Sequence, residues 1–320
     1  MASQRDVKNK IASVKNIQKI TRAMEMVAGA RLRRAEQRIA VLRPYADAIA
    51  RMTRQAAEAA GAEAARLPLL REPDSHSHVA LLLITGDRGL AGGFNSQIIR
   101  AGSRLSSELA EEGLQTSWYA TGRRGVSSLA FRGHELQGGY TGFADKPSYA
   151  DAREIAGDLI AAYVDGRVGR VEMLYNSYVS PLTQHVTTQR LLPLSHEAIS
   201  GEQAGAGRPA GAGPGSGATA AAGAGAGAEE AQRKRTPVEY EPDPEKILRR
   251  LVPDYIEVSI YRALVESAAG FFGAQMTAMR SASENASEII TDYTLQMNRA
   301  RQAEITQEIM EVVAGAEGLS

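Results

Sequence analysis

The two ends of this chain restrict its fold more than anything else in it. Residues 14–39 read VKNIQKITRAMEMVAGARLRRAEQRI, and residues 298–316 read NRARQAEITQEIMEVVAGA. Both stretches are rich in alanine and charge, and both space their apolar residues by three and four, the mark of a helix with one apolar stripe. Residues 4–58 are predicted to form one helix, roughly 80 Å long at about 1.5 Å per residue. That exceeds the reach of an ordinary globular helix and points to a coiled coil. The expected seam runs through Val7, Ile11 and Val14. After a small phase shift it continues through Ile17, Ile20, Met24 and Val27, then Ala28, Leu32, Ala35, Ile39 and Leu42. Pro44 is expected to kink or break the helix. A second helix is predicted from about residue 244 almost to the end, with Asp243 as N-cap and Pro244 in the first turn. Pro253 is expected to kink or restart it. Its seam is expected at Leu264, Phe271, Met276, Met279, Ala282, Ala286, Ile289, Tyr293, Ala300, Ile309 and Val312. Two helices of matching length, each with one seam, predict an antiparallel pair.

The middle has another texture. HVALLLITGD, residues 78–87, reads as a buried strand running into a loop. A helix near residues 96–112, the strand QTSWYATG, and helices at Arg123–Phe131 and Tyr149–Val164 follow. RVEMLYNSYVS and HVTTQRLLPL alternate apolar and polar residues and are expected to pair around PLTQ. Alternating strands and helices predict a mainly parallel sheet. The fold class is therefore α/β with long terminal helices: an antiparallel coiled coil plus a central α/β, Rossmann-like domain. The expected division is 1–72 for the first coiled-coil helix, 73–200 for the α/β domain, 201–241 for an insert and linker, and 242–320 for the second helix. Within the insert, residues 201–228 hold ten glycines and eleven alanines. Such a composition has too little apolar area to offset the entropy of ordering, so a flexible segment is predicted.

Charge narrows the function. Lys plus Arg and Asp plus Glu each total 37, so the net charge is zero, unlike that of a general nucleic-acid binder. The distribution is lopsided. Residues 1–54 hold 13 basic and 4 acidic side chains (+9), and residues 280–320 hold 3 basic and 7 acidic (−4). With no cysteine, thiol catalysis, thiolate metal sites and disulfides are excluded. The opening MASQRDVKNK lacks an apolar stretch, so no signal peptide is expected, and no apolar run has the length of a bilayer span.

Few residues suggest chemistry. GDRGLAGGFN, with Asp87, Arg88, Gly89, Gly92 and Gly93, lies between a strand and a helix, where backbone N–H groups can cradle a phosphate. It has neither GxGxxG nor a P-loop Gly-Lys-Ser/Thr, and a structural turn is the preferred reading, with Asp87 and Arg88 capping it or pairing with each other. His76 and His78 lack an evident third ligand. Ser195, His196 and Glu197 adjoin in sequence only, which says little about a triad. No catalytic, cofactor or metal residues are assigned. Met24 and the other methionines of the terminal helices read as core filler or as flexible outward contacts. Arg301 and Gln302 read as a solvated face or as donors offered to a partner.

At this point IASVKNIQKITRAMEMVAGARLRRA, ITGDRGLAGGFN and ARQAEITQEIMEVVAGA together resemble the gamma-subunit family of F-type ATP synthases, in the same order and over nearly the whole chain except 201–235. The resemblance implies a rotary shaft without catalytic residues of its own. Its terminal helices would stand inside a ring of three alpha and three beta subunits, one shaft per ring. The α/β domain would sit by the epsilon subunit and the c-ring, peripheral to the cytoplasmic face of a bacterial plasma membrane. No nucleic acid, cofactor or small-molecule substrate is implied. It also implies that Met24, Arg301 and Gln302 meet beta subunits. The insert departs from the family pattern, as does GFFG at residues 270–273. Two readings compete: a nucleotide-binding enzyme using the glycine loop, and a coiled-coil scaffold unrelated to rotation.

Overall fold

A computed structural model describes residues 4–71, 77–194, 208–209 and 243–317. Helix α1 spans Gln4–Ala60, followed by a short 3-10 turn, Gly61–Arg66. Strand β1 (His78–Ile84), helix α2 (Phe94–Glu111), β2 (Gln115–Thr121), α3 (Arg123–Phe131), β3 (Leu136–Tyr140), α4 (Tyr149–Val164), β4 (Arg170–Tyr178) and β5 (Gln184–Leu192) follow, then the two-residue β6 (Arg208–Pro209) and helix α5 (Pro244–Glu317). The sheet order is β3-β2-β1-β4-β5-β6. β1 pairs in parallel with β2 and β4, and β2 with β3, while β5 and β6 run antiparallel. The α/β expectation therefore holds, including the β4–β5 hairpin.

The chain divides into two compact units. One comprises the described residues of Met1–Arg34, Leu90–Gly92 and Phe271–Ser320; the other comprises Ala35–Gly89 and Gly93–Gly270. The second unit is built on β1, whose Val79–Leu83 are fully buried. Alternation sends Ala80, Leu82 and Ile84 into a core shared with Ile155 and Leu159 of α4, Ile49 and Ala56 of α1, and Leu248, Val252, Ile256 and Ile260 of α5. Leu83 points to the other face, where an added Cβ at Gly102 of α2 would lie 2.9 Å from it. Burying aliphatic side chains of this size stabilises by about 2 kcal/mol each.

Three expectations are corrected. Of the kink or break expected at each proline, the break does not occur: α1 runs through Pro44 and α5 through Pro253. A proline inside a helix costs about 3 kcal/mol, and burial beyond each one offsets it, with Ala46 and Ile49 after Pro44 and Tyr255 and Ile256 after Pro253. β3 was not expected, because LQGGY carries two glycines and no apolar alternation. An added Cβ at its Gly138 would lie 2.7 Å from Tyr119, so the strand needs glycine to lie beside β2. Asp243 does accept from the Glu245 N–H at 3.3 Å at the start of α5. The insert expectation falls outside the described residues, apart from Arg208 and Pro209.

Candidate functional site

In the first unit α1 and α5 run antiparallel in a fixed register. Lys10 lies over the Tyr293 ring, Glu25 accepts from Arg280 Nε at 2.9 Å, and Arg31 lies over the Phe272 ring. From the first pair to the last, α1 advances 21 residues (10 to 31) and α5 retreats 21 (293 to 272). The seam of α1 is Val7, Ile11, Val14, Gln18, Thr21, Glu25, Ala28 and Leu32, all buried or half-buried. It alternates steps of four and three without any phase shift. Thr21 is 9% exposed, and its hydroxyl donates to the Gln18 carbonyl at 3.0 Å. On α5 the matching series is Phe272, Met276, Met279, Ser283, Ala286, Ile290, Tyr293, Met297 and Ala300, again buried or half-buried.

The expected seam is thus wrong in its middle. Ile17, Ile20 and Val27 are 52%, 59% and 52% exposed. With half-buried Met24 they form a second apolar row, spaced three, four, three, beside the seam. Choosing by hydrophobicity alone selected this row. The unbroken four-three spacing through Gln18, Thr21 and Glu25 was the signal that identifies the seam. Likewise Ile289 is exposed and Ile290 takes the seam position.

The far end of α5 has no counterpart in the described part of α1. Extending the Lys10–Tyr293 offset six residues to Gln4 reaches Arg299. Arg301, Gln302 and every residue on to Met310 are exposed, as are Val312 and Val313. Ile305, Ile309 and Val312 recur at helical spacing, so this segment carries an apolar stripe in water. GFFG contrasts with it: Phe271 and Phe272 are buried and meet edge to face at 5.7 Å.

The glycine loop is a closed structural turn. The Asp87 carboxylate accepts from the N–H of Arg123 at 3.0 Å, of Gly142 at 3.1 Å and of Ala144 at 3.1 Å. These amides include the N-terminus of α3, a natural anion site. The chain's own carboxylate therefore takes the hydrogen bonds a phosphate would seek there. Asn95 completes the turn, accepting from Gly86 N–H at 2.8 Å and donating to the Arg88 carbonyl at 3.0 Å. Thr85 donates to the Thr121 carbonyl and accepts from Gly125 N–H. Gly122, at φ +82°, cannot take a side chain, since a Cβ would lie 2.3 Å from the Thr85 carbonyl oxygen. Gly92 also needs its positive φ, and Leu90 adopts φ +65° at 62% exposure. Arg88 is 3.9 Å from Asp145 and does not pair with Asp87. Gly89 lies against Arg124, and Gly93 precedes α2 without a capping side chain. The site residues thus fall into two separate groups, Met24, Arg301 and Gln302 on the long helices and Asp87 to Gly93 in the loop.

Elsewhere, His78 Nδ1 lies 2.9 Å from Ser77 Oγ, and His134 stacks on Trp118 at 4.7 Å. Among the described residues no group of three or more His, Cys, Asp or Glu side chains has a metal-binding arrangement. None of their helices is long and apolar enough to cross a membrane. His76, Ser195, His196 and Glu197 lie outside the described residues.

Comparisons with known proteins address the family and the fold. The ATP synthase family profile matches residues 3–319. The ATP synthase gamma chain of Rubrobacter xylanophilus is 40% identical over 320 residues, covering 100% of this chain and 99% of the relative. That of Streptomyces coelicolor is 38% identical over 324 residues, covering 100% and 97%. Among solved structures, a chain of the Euglena gracilis mitochondrial ATP synthase (OSCP/F1/c-ring) aligns over 99% of this chain and 94% of its own, with a TM-score of 0.63 at 14% identity. A chain of the Tetrahymena thermophila mitochondrial ATP synthase central stalk and c-ring aligns over 82% and 99%, with a TM-score of 0.55 at 22% identity. At these identities the structural matches speak to the fold.

Proposed function

The chain belongs to the ATP synthase gamma-chain family, and from that premise we propose that it is the central rotor shaft of an F1Fo ATP synthase, carrying torque between the membrane c-ring and the alpha/beta ring. Residues 1–72 and 242–320 supply the coiled coil, 73–200 the α/β domain, and 201–241 a linker. One shaft serves three alpha and three beta subunits. It meets the epsilon subunit and the c-ring, at the cytoplasmic face of the membrane, as a peripheral component. It contributes no catalytic residue; the chemistry belongs to the ring.

The observation that carries this reading is the apolar surface that the paired helices leave uncovered: the row of Ile17, Ile20, Met24 and Val27, and the stripe of Ile305, Ile309 and Val312. Contiguous apolar surface beside polar residues marks a place for a partner. Met24, Arg301 and Gln302 stand on these two regions, as contacts for beta subunits.

The mechanism needs a shaft that differs from side to side. In the first unit, α1 contributes nine basic and two acidic residues and α5 three basic and seven acidic, so one flank is positive and the other negative. A ring subunit that meets the positive flank experiences another field than one that meets the negative flank. Rotation exchanges these fields and shifts each subunit between states that differ in nucleotide affinity. Ion flow is thereby delivered as altered affinity for ADP and ATP.

The test is ATP hydrolysis by matching alpha and beta subunits with and without this chain. Binding of one chain per ring with altered turnover is expected. A chain that neither joins the ring nor changes turnover overturns the reading.

A further inference from the structure

Within the sheet unit, α5 carries an aliphatic ladder of Leu248, Val252, Ile256, Ile260 and Leu264, each four residues from the next and each no more than 3% exposed. Such a ladder is nearly degenerate. Sliding the helix by one turn puts an aliphatic side chain of similar size into almost every place, and packing tolerates such exchanges. Something other than the ladder must fix the position of α5.

Residues 263–270 of α5 are all buried, and Glu266 is the one ionisable side chain among them, at 4% exposure. Its carboxylate accepts from Arg262 Nε at 2.8 Å and from Ser177 Oγ of β4 at 3.2 Å. On that face of β4, Val171, Met173 and Tyr175 belong to the core, and Ser177 supplies the polar position. Burial, and then the charge of Glu266, push the Tyr175 phenol above its ordinary value.

One-turn slips fail in both directions. Moving α5 towards its C-terminus brings Glu266 to the place of Gly270, where even an added Cβ would lie 3.3 Å from the Phe94 ring. Moving it the other way brings Arg262 to the place of Val258, which is 2% exposed, and leaves Ser177 facing a glycine. A buried charge stripped of its partners is costly, whereas a pair replaced by apolar groups of like size often is not.

We infer that the Arg262–Glu266 pair, seated on Ser177, is a register key that fixes where α5 stands on the sheet and stops it slipping when α5 carries torque. The torque clause rests on the rotor function proposed above; the register clause does not. The chain has no cysteine, so Phe131→Cys on α3 and Arg249→Cys on α5, both at exposed positions, accept spin labels cleanly. The distance between them in the isolated full chain reads the register. The wild-type key is expected to give one maximum. Arg262→Met with Glu266→Leu is expected to keep the melting temperature yet add a second maximum, displaced by up to about 6 Å, the length of four helical residues. Where that variant does not fold, Ser177→Val is expected to broaden the distribution and Ser177→Thr to keep it single. An unchanged single maximum in the apolar double variant, or in Ser177→Val where it stands in, overturns the register clause. In the complete complex in vesicles, the apolar double variant is expected to hydrolyse ATP but to build a smaller ion gradient than wild type. An equal gradient overturns the torque clause. Failure of the wild-type chain to alter ring turnover removes the rotor reading and leaves the distance result standing.

Discussion

One helix meets two environments in this molecule. Along α5, residues 263–270 are buried on every side, whereas residues 301–310 are exposed on every side. Both segments are helical and both contain aliphatic residues. The first is held by the chain's own core. The second must rely on intrinsic propensity, since an isolated stretch of this length is marginal in water. Folding therefore depends on the first segment and gains little packing energy from the second.

This contrast can be broken first at the buried segment. Leu264→Ala should lower the stability of the isolated chain by about 3 kcal/mol, through lost burial and a cavity, read as a drop in melting temperature. A change below about 1 kcal/mol would mean the segment collapses around the gap. Next, Asp87→Ala should cost about 2 kcal/mol by orphaning three amides. Added phosphate should restore part of it, which calorimetry with and without phosphate would show. The seam offers a gain in place of a loss. Thr21→Val should raise the melting temperature slightly, by about 0.5–1 kcal/mol, while Ile20→Ser in the neighbouring row should leave it unchanged. A loss from Ile20→Ser would restore Ile20 to the seam. Smallest for the chain alone is Arg301→Ala, within about 0.5 kcal/mol of wild type. In the assembled complex it should slow coupled turnover, and wild-type turnover would return Arg301 to a solvated face.

The sequence made much of this legible, for reasons that differ from element to element. The bounds of α3 and α4 were legible from the residue pattern, and the structure adds the reason α4 starts where it does, a Ser148–Asp151 capping box with Ser148 N–H donating to Asp151 Oδ2 at 2.7 Å. β1 announced itself by a run of aliphatic residues. β3 was silent, because its strand character comes from pairing with β2 through glycines and not from its own side chains. No break occurs at Pro44 or Pro253 because local helix breaking is outweighed by packing that a one-dimensional pattern does not display. Gln18, Thr21 and Glu25 misled because polar residues hold seam positions where hydrophobicity alone favours their neighbours. The loop of Asp87 to Gly93 looked like a phosphate cradle or a structural turn; only the fold shows that Asp87 reaches Gly142 and Ala144 and closes the turn. Glu266 drew no notice in sequence, since one glutamate on a long helix is ordinary until its burial is known.

The closure of that cradle bears on how the motor reads its surroundings. Cells hold ATP and ADP well above the affinity of a working phosphate site. A transmission part that kept such a site open would change state with the energy charge of the cell, independently of the angle it is meant to report. With Asp87 already holding the amides of Arg123, Gly142 and Ala144, a nucleotide phosphate meets no free donors at the start of α3, and that end of the helix is set by the fold and not by the metabolite.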